Sequence, residues 1–221
     1  MAKKDANQYL DILRDIRSGN FKPVYFLMGE ESYFIDLITD AIIEHALTDD
    51  ERDFNQTIMY GADVANYGVV VNAAKRYPMM ALRQLVVVKE AQQIPNIEML
   101  SFYLKQPLNS TILVINHKHG TVKGKKILSE IEQVGVLYES KKLYDNQLPT
   151  FINSYVAESG RTIEPKAMQM LADFIGNDPV AECFIINIKL RFQSDNLQCF
   201  GRGRDLAPIY RSTSVGWPYS S

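Results

Sequence analysis

Val24-Tyr25-Phe26-Leu27-Met28-Gly29-Glu30-Glu31-Ser32-Tyr33-Phe34 is the stretch that decides the fold. Val24 to Met28 form an unbroken apolar run, which predicts a strand buried on both faces. A glycine turn and an amphipathic helical pattern follow. A nucleotide-binding βαβ unit carries G-x-x-x-x-G-K-[ST] at this point, where backbone amides and a lysine cradle phosphates. Here the turn has a single glycine, Gly29, no lysine, and the carboxylates of Glu30 and Glu31. Two acids repel a triphosphate, yet they suit the positive end of the helix that follows. The architecture is that of a nucleotide-binding protein and the site chemistry is not. This combination points to an ATPase-like body that holds other proteins.

On the amino side of this stretch, residues 6–18 predict a helix, with Tyr9, Leu10, Ile12, Leu13 and Ile16 at helical spacing and Gly19 as its stop. On the carboxyl side, a helix over 32–47 presents Phe34, Leu37, Ile38, Ala41, Ile42 and His45 on one face. A second strand is predicted over 53–60, with Phe54, Ile58 and Tyr60 as its apolar positions. A helix over 62–76 stops before Pro78, because the residue preceding a proline resists the helical region. Leu85-Val86-Val87-Val88 and Thr111-Ile112-Leu113-Val114-Ile115 read as central parallel strands. Helices are predicted over 96–105 and 122–133, and Val136-Leu137-Tyr138 is a last strand. This alternation argues for a parallel, doubly wound α/β sheet.

Composition narrows the function. The chain has 221 residues, 46% hydrophobic and 23% charged, enough for one good core and a smaller second domain. A net charge of −2 and a pI of about 6.0 exclude a global basic field for nucleic acid. Cys183 and Cys199 stand apart without a CxxC pair, and no signal-like N-terminus is seen, which fits a reducing, cytoplasmic setting. No apolar run approaches the roughly 18 residues of a membrane span.

After Lys142 the pattern changes to helices without strands. Leu148, Phe151, Ile152, Tyr155 and Val156 form one helix face, and a second helix starts at Ile163-Glu164-Pro165. From Pro179 onward, Gly201-Arg202-Gly203-Arg204, Pro208 and the final serines show no sustained periodicity, and little regular structure is expected after residue 192. The expected organisation is a first domain over 1–143, a partial helical lid over 144–178 and an atypical tail over 179–221.

The layout resembles the delta-subunit family of the bacterial DNA polymerase III clamp loader. The resemblance rests on Pro23-Val24-Tyr25-Phe26-Leu27-Met28-Gly29-Glu30-Glu31, on Tyr77-Pro78-Met79-Met80-Ala81-Leu82-Arg83-Gln84-Leu85-Val86-Val87-Val88-Lys89, and on Gly176-Asn177-Asp178. It implies a RecA-like or AAA+-type (P-loop NTPase-like) first domain, a small helical lid and a helical collar. It also implies a subunit without a working nucleotide site or cofactor, in agreement with the acidic loop. Such a subunit binds and opens the ring-shaped sliding clamp (beta). It does so beside the gamma/tau and delta prime subunits, within a DNA-directed DNA polymerase (nucleotidyltransferase) holoenzyme that handles DNA. The family's clamp contact, two apolar side chains before the Arg-Gln strand, falls on Met79 and Met80, framed by Lys75, Arg76 and Arg83. The thioethers fit that role, since methionine adapts to irregular apolar pockets. The alternative is that both simply cover the core at a helix–strand corner.

The family continues from its Gly-x-Asp with a leucine, a charged helix and a collar. Here Asp178 is followed by Pro179-Val180-Ala181-Glu182. Some codons for Pro-Val-Ala, read one base later, encode Leu-Ser-Arg, a family-like continuation, so a frameshift near codon 179 and a missing collar are expected. Without a collar, stable assembly into the loader is not expected.

The basic stretch His117 to Lys126 follows a central strand, and Lys123, Lys125 and Lys126 are candidate phosphate contacts. The competing reading is a solvated loop and helix start, since aromatic interleaving is lacking. His117 and His119 have no Cys, Asp or Glu at ligand spacing, so no metal site is expected. No nucleophile–base constellation is visible, so no catalytic residue is expected. The rival readings are a nucleotide-dependent α/β enzyme with a degenerate phosphate loop, and a DNA-binding protein using the lysine patch.

Overall fold

Five parallel strands are laid down in the order β2-β3-β4-β1-β5 in the computed structural model, which describes residues 8–141 and 164–166. The elements are α1 (Gln8–Arg17), β1 (Val24–Gly29), α2 (Ser32–Ala46), α3 (Asp49–Asn55), β2 (Gln56–Tyr60), α4 (Tyr67–Ala74), β3 (Gln84–Lys89), α5 (Ser101–Leu104), β4 (Thr111–Lys118), α6 (Lys125–Val134) and β5 (Val136–Ser140). Short 3₁₀ turns at Gly61–Asp63, Ala91–Gln93 and Ile97–Leu100 join them. β1 pairs with β4 on one side and β5 on the other, with Phe26 opposite both Ile115 and Leu137. This is the RecA-like, AAA+-type sheet expected from the sequence. All six residues of β1 are buried, as an inner parallel strand covered on both faces requires.

Alternate residues of the strands build two layers. Phe26, Met28, Val86, Val88, Leu113 and Ile115 pack in one core with Tyr67, Val70 and Ala74 of α4, Tyr103 of α5 and Ile127 and Ile131 of α6. On the other face, α2 meets β1 and β4, and the Thr39 hydroxyl lies 3.0 Å from Asn116 Oδ1. α1 buries Tyr9, Leu10, Ile12, Leu13 and Ile16 and packs on α2, with the Tyr9 and Phe34 rings 4.9 Å apart.

Several expectations need correction. Residues 53–55 belong to α3, not to a strand. A capping box of Thr48 and Glu51 starts this short helix, and β2 begins only at Gln56. Phe54, Ile58 and Tyr60 are exposed instead of facing the core, and Met59 is the β2 residue that packs inward. The helix expected over 62–76 is shortened to Tyr67–Ala74, because the Asn66 side chain accepts from the Gly68 amide and caps it there. The helix expected over 96–105 divides into a 3₁₀ turn and the short α5. On α2 Phe34, Ile38 and Ile42 are buried as expected and are joined by Ile35, Thr39 and Ala46, whereas Leu37 and Ala41 are only partly buried and His45 is exposed with Nδ1 3.0 Å from the Ala41 carbonyl oxygen. The expected lid apart from residues 164–166, the tail, both cysteines and the frameshift position lie outside the described residues.

Candidate protein-docking site at the amino end of the sheet

Two sets of candidate residues fall at opposite ends of the strands. At the carboxyl end, where α/β proteins of this class bind their ligands, the loop after β1 is closed by the chain itself. Gly29 has φ +138°, a conformation that favours glycine, and a Cβ there would run into the Ser140 carbonyl oxygen. That carbonyl accepts the Glu30 amide at 3.0 Å, and the Ser140 hydroxyl donates to the Glu31 carbonyl at 2.7 Å. Glu31 is the N-cap of α2, and its carboxylate accepts from the Tyr33 amide at 3.4 Å. Backbone amides that a phosphate would need are engaged by β5 and by an acidic side chain.

A charged group that the sequence reading did not single out lies beside this loop. Lys118 Nζ, at the end of β4, is 2.8 Å from Asp36 of α2 and 3.8 Å from Glu90 after β3. The Lys118 amide donates to Gln92 Oε1 at 3.1 Å. Ion pairs thereby link α2, the end of β4 and the turn after β3 at this end of the sheet. His117 is half-buried, and burial pushes its pKa below the usual imidazole value. Lys123, Lys125 and Lys126 are exposed at the start of α6, whose first turn holds no acid. Among the described residues, no group of His, Cys, Asp and Glu could hold a metal ion, and no helix is long and apolar enough to cross a membrane.

The amino end is built the other way round. The segment from Lys75 to Arg83 joins α4 to β3, and it carries large apolar side chains into solvent. Met79 is 63% exposed and Leu82 is 86% exposed, Tyr77 is likewise exposed, and Met80 is fully open. Met79 and Met80 do not cover the core. Their loop is nevertheless anchored at both ends. Gln84, which is buried, places its Nε2 at Arg76 O, 3.3 Å from Ala74 O and 2.9 Å from Thr111 Oγ1. The last carbonyls of α4 are thereby satisfied where the helix stops. Asn55, at the end of α3, holds Met79 by both of its backbone groups. Met80 then takes φ +54°, a left-handed conformation uncommon for a side chain of its size.

The basic residues around the methionines are placed differently from one another. Lys75 is exposed at the C-cap of α4. Arg76 donates from Nη2 to Thr57 Oγ1 at 2.9 Å, and the Arg83 guanidinium sits 5.0 Å from the centroid of the Phe21 ring. Leu82, Asn55 and Gln84 escaped the sequence reading. Leu82 sits in the same short apolar run and was legible there. Asn55 and Gln84 act through partners too far along the chain for local spacing to reveal.

Known proteins resemble this chain in sequence and in fold. Residues 25–141, more than half of the chain, match the family described as DNA polymerase III, delta subunit. The chain is 22% identical over 172 residues to the DNA polymerase III subunit delta of Bacillus subtilis (strain 168), covering 73% of this chain and 49% of that protein. A solved structure of the Bacillus subtilis DNA clamp loader delta protein superposes with a TM-score of 0.71 at 21% identity, covering 86% of this chain and 59% of that one. The chain thus spans about half the length of the curated relative it matches. With the sheet order, the loop after β1 and the family match in agreement, the chain belongs to the DNA polymerase III delta-subunit family.

Proposed function

We propose that this chain is a clamp-loader delta-type subunit that binds and opens the sliding clamp during DNA replication and hydrolyses no nucleotide itself. In this reading the body spans residues 1–143, with a partial lid over 144–178 and the atypical tail beyond it. The observation that carries the proposal is the exposed apolar run Met79, Met80 and Leu82 on a loop whose backbone is held by buried amides. Solvent-facing apolar side chains cost little in the fold and supply anchors for a partner's pocket. Lys75 and Arg76 on the same segment favour a pocket with an acidic rim. The carboxyl end supports the second half of the reading. With Ser140 against Gly29 and with Lys118 paired to Asp36, the groups at this end are engaged within the protein, which supports a subunit that hydrolyses no nucleotide.

The test is binding of the full chain to the sliding clamp of the same organism, wild type beside the Met79→Ala, Met80→Ala double variant. Loss of two anchors of hot-spot quality corresponds to about 2 kcal/mol or more, roughly a thirtyfold rise in Kd. Equal affinity for both proteins overturns the assignment of the contact. A fluorescent ATP analogue added to the same preparation separates the rival enzyme reading, which requires saturable binding where the proposal requires none.

A further inference from the structure

We propose that Asn55 is a positioning residue for the docking loop and that it acts through the backbone of Met79. The inference rests on the reading of Met79 and Met80 as the clamp contact and deepens it. Asn55 is 4% exposed, in a chain where the neighbouring Phe54 points into solvent. Its Nδ2 donates to the Met79 carbonyl at 3.0 Å, and its Oδ1 accepts from the Met79 amide at 2.6 Å. One side chain thus supplies the donor and the acceptor that a neighbouring strand would give. The same Nδ2 lies 3.1 Å from the Glu51 carbonyl, so the amide is itself fixed by α3.

The need for such a clamp follows from the loop. Met80 is held at φ +54°, and a non-glycine residue persists there only when its surroundings over-determine it. No apolar burial does this, because Met79, Met80 and Leu82 are all turned outward. Beside the Gln84 anchor at Arg76 O, the hydrogen bonds to Met79 are the contacts that hold the backbone next to Met80. Only an uncharged planar amide meets both backbone groups at this reach. An aspartate keeps the acceptor and turns a second oxygen against the Met79 carbonyl. A buried carbonyl or amide left without its partner drives the loop to other conformations. Asn55 therefore sets the fraction of molecules in which the methionines are presented ready to dock, and apparent affinity falls in proportion to that fraction.

The test uses the full chain, with amide hydrogen exchange at Met79 and Met80 and affinity for the sliding clamp measured on wild type, Asn55→Ala, Met80→Ala and the Asn55→Ala, Met80→Ala pair. Asn55→Ala is expected to lower protection of the Met79 amide and to weaken clamp binding about tenfold, as when the competent fraction drops to about a tenth. In the Met80→Ala background the loss from Asn55→Ala should shrink, since the two act on one contact. Asn55→Asp supplies a readout within a single folded protein. Its Met79 amide should be poorly protected at neutral pH and regain protection as the carboxyl protonates and donates to the Met79 carbonyl, a recovery that Asn55→Ala cannot show. Unchanged exchange at Met79 in Asn55→Ala, an undiminished loss in the Met80→Ala background, or an Asn55→Asp protein whose Met79 protection ignores pH would each overturn the proposal. If Met79→Ala, Met80→Ala leaves clamp binding intact, the clamp reading falls, and the exchange measurements still decide whether Asn55 positions the loop.

Discussion

The two ends of the sheet use their side chains for opposite purposes. At the carboxyl end, Gly29, Ser140, Glu31, Lys118, Asp36 and Glu90 are all turned on one another. At the amino end, Met79, Met80 and Leu82 touch little, and the polar atoms beneath them are occupied in holding the loop still. The end of the sheet that serves a ligand in related architectures holds internal contacts, and the helix–strand connection at the other end carries exposed apolar side chains. Substitutions at the first end should therefore read out as stability, and those at the second as binding.

The largest effect is expected from Gly29→Ala. The new Cβ meets the backbone of β5 and the residue keeps an unfavourable φ, which together cost about 4 kcal/mol or more. Urea unfolding measures this directly, and Met80→Ala at the other end should shift the same curve by less than about 0.5 kcal/mol. Similar losses at both positions would erase the contrast between the ends. Lys118→Met tests the ion pairs. It leaves Asp36 and Glu90 facing each other, and because Asp36 is nearly half exposed the cost is about 1 kcal/mol, read from the same unfolding midpoint. The smallest effect concerns His117. Its folded pKa is depressed by burial, so the unfolded state binds the proton first. Its contribution is intact above the unfolded pKa of about 6.5 and is lost as pH falls through the folded value. His117→Gln should make the loss of stability on acidification shallower than in the wild type, and identical pH profiles would show that His117 plays no part.

Much of this contrast was legible in the sequence, but not all of it. Strands β1, β3 and β4 are unbroken apolar runs, and inner parallel strands announce themselves in that way. The acidic turn at Glu30 and Glu31 is drawn into contacts with Tyr33 and Ser140, and Met79 and Met80 are exposed instead of covering the core. The closure by Ser140 was not legible, since it depends on the chain returning more than a hundred residues later to the end of β1. α3 was missed although Thr48-x-x-Glu51 is a capping-box pattern, because Phe54, Ile58 and Tyr60 were read as inward-facing at strand spacing. The outcome at an edge strand shows why such readings fail. One side of β2 is not covered by another strand, so its apolar residues need not point into the core.

Met80 is the most open large apolar side chain among the described residues. Its thioether sulfur is accordingly accessible to peroxide and other oxidants. Oxidation to the sulfoxide turns an adaptable apolar group into a polar one. A preparation oxidised at Met80 would keep its sheet and its unfolding midpoint while losing the surface that distinguishes this end of the molecule. Intact mass, rather than any measure of folding, is what reports whether this exposed loop is still chemically whole.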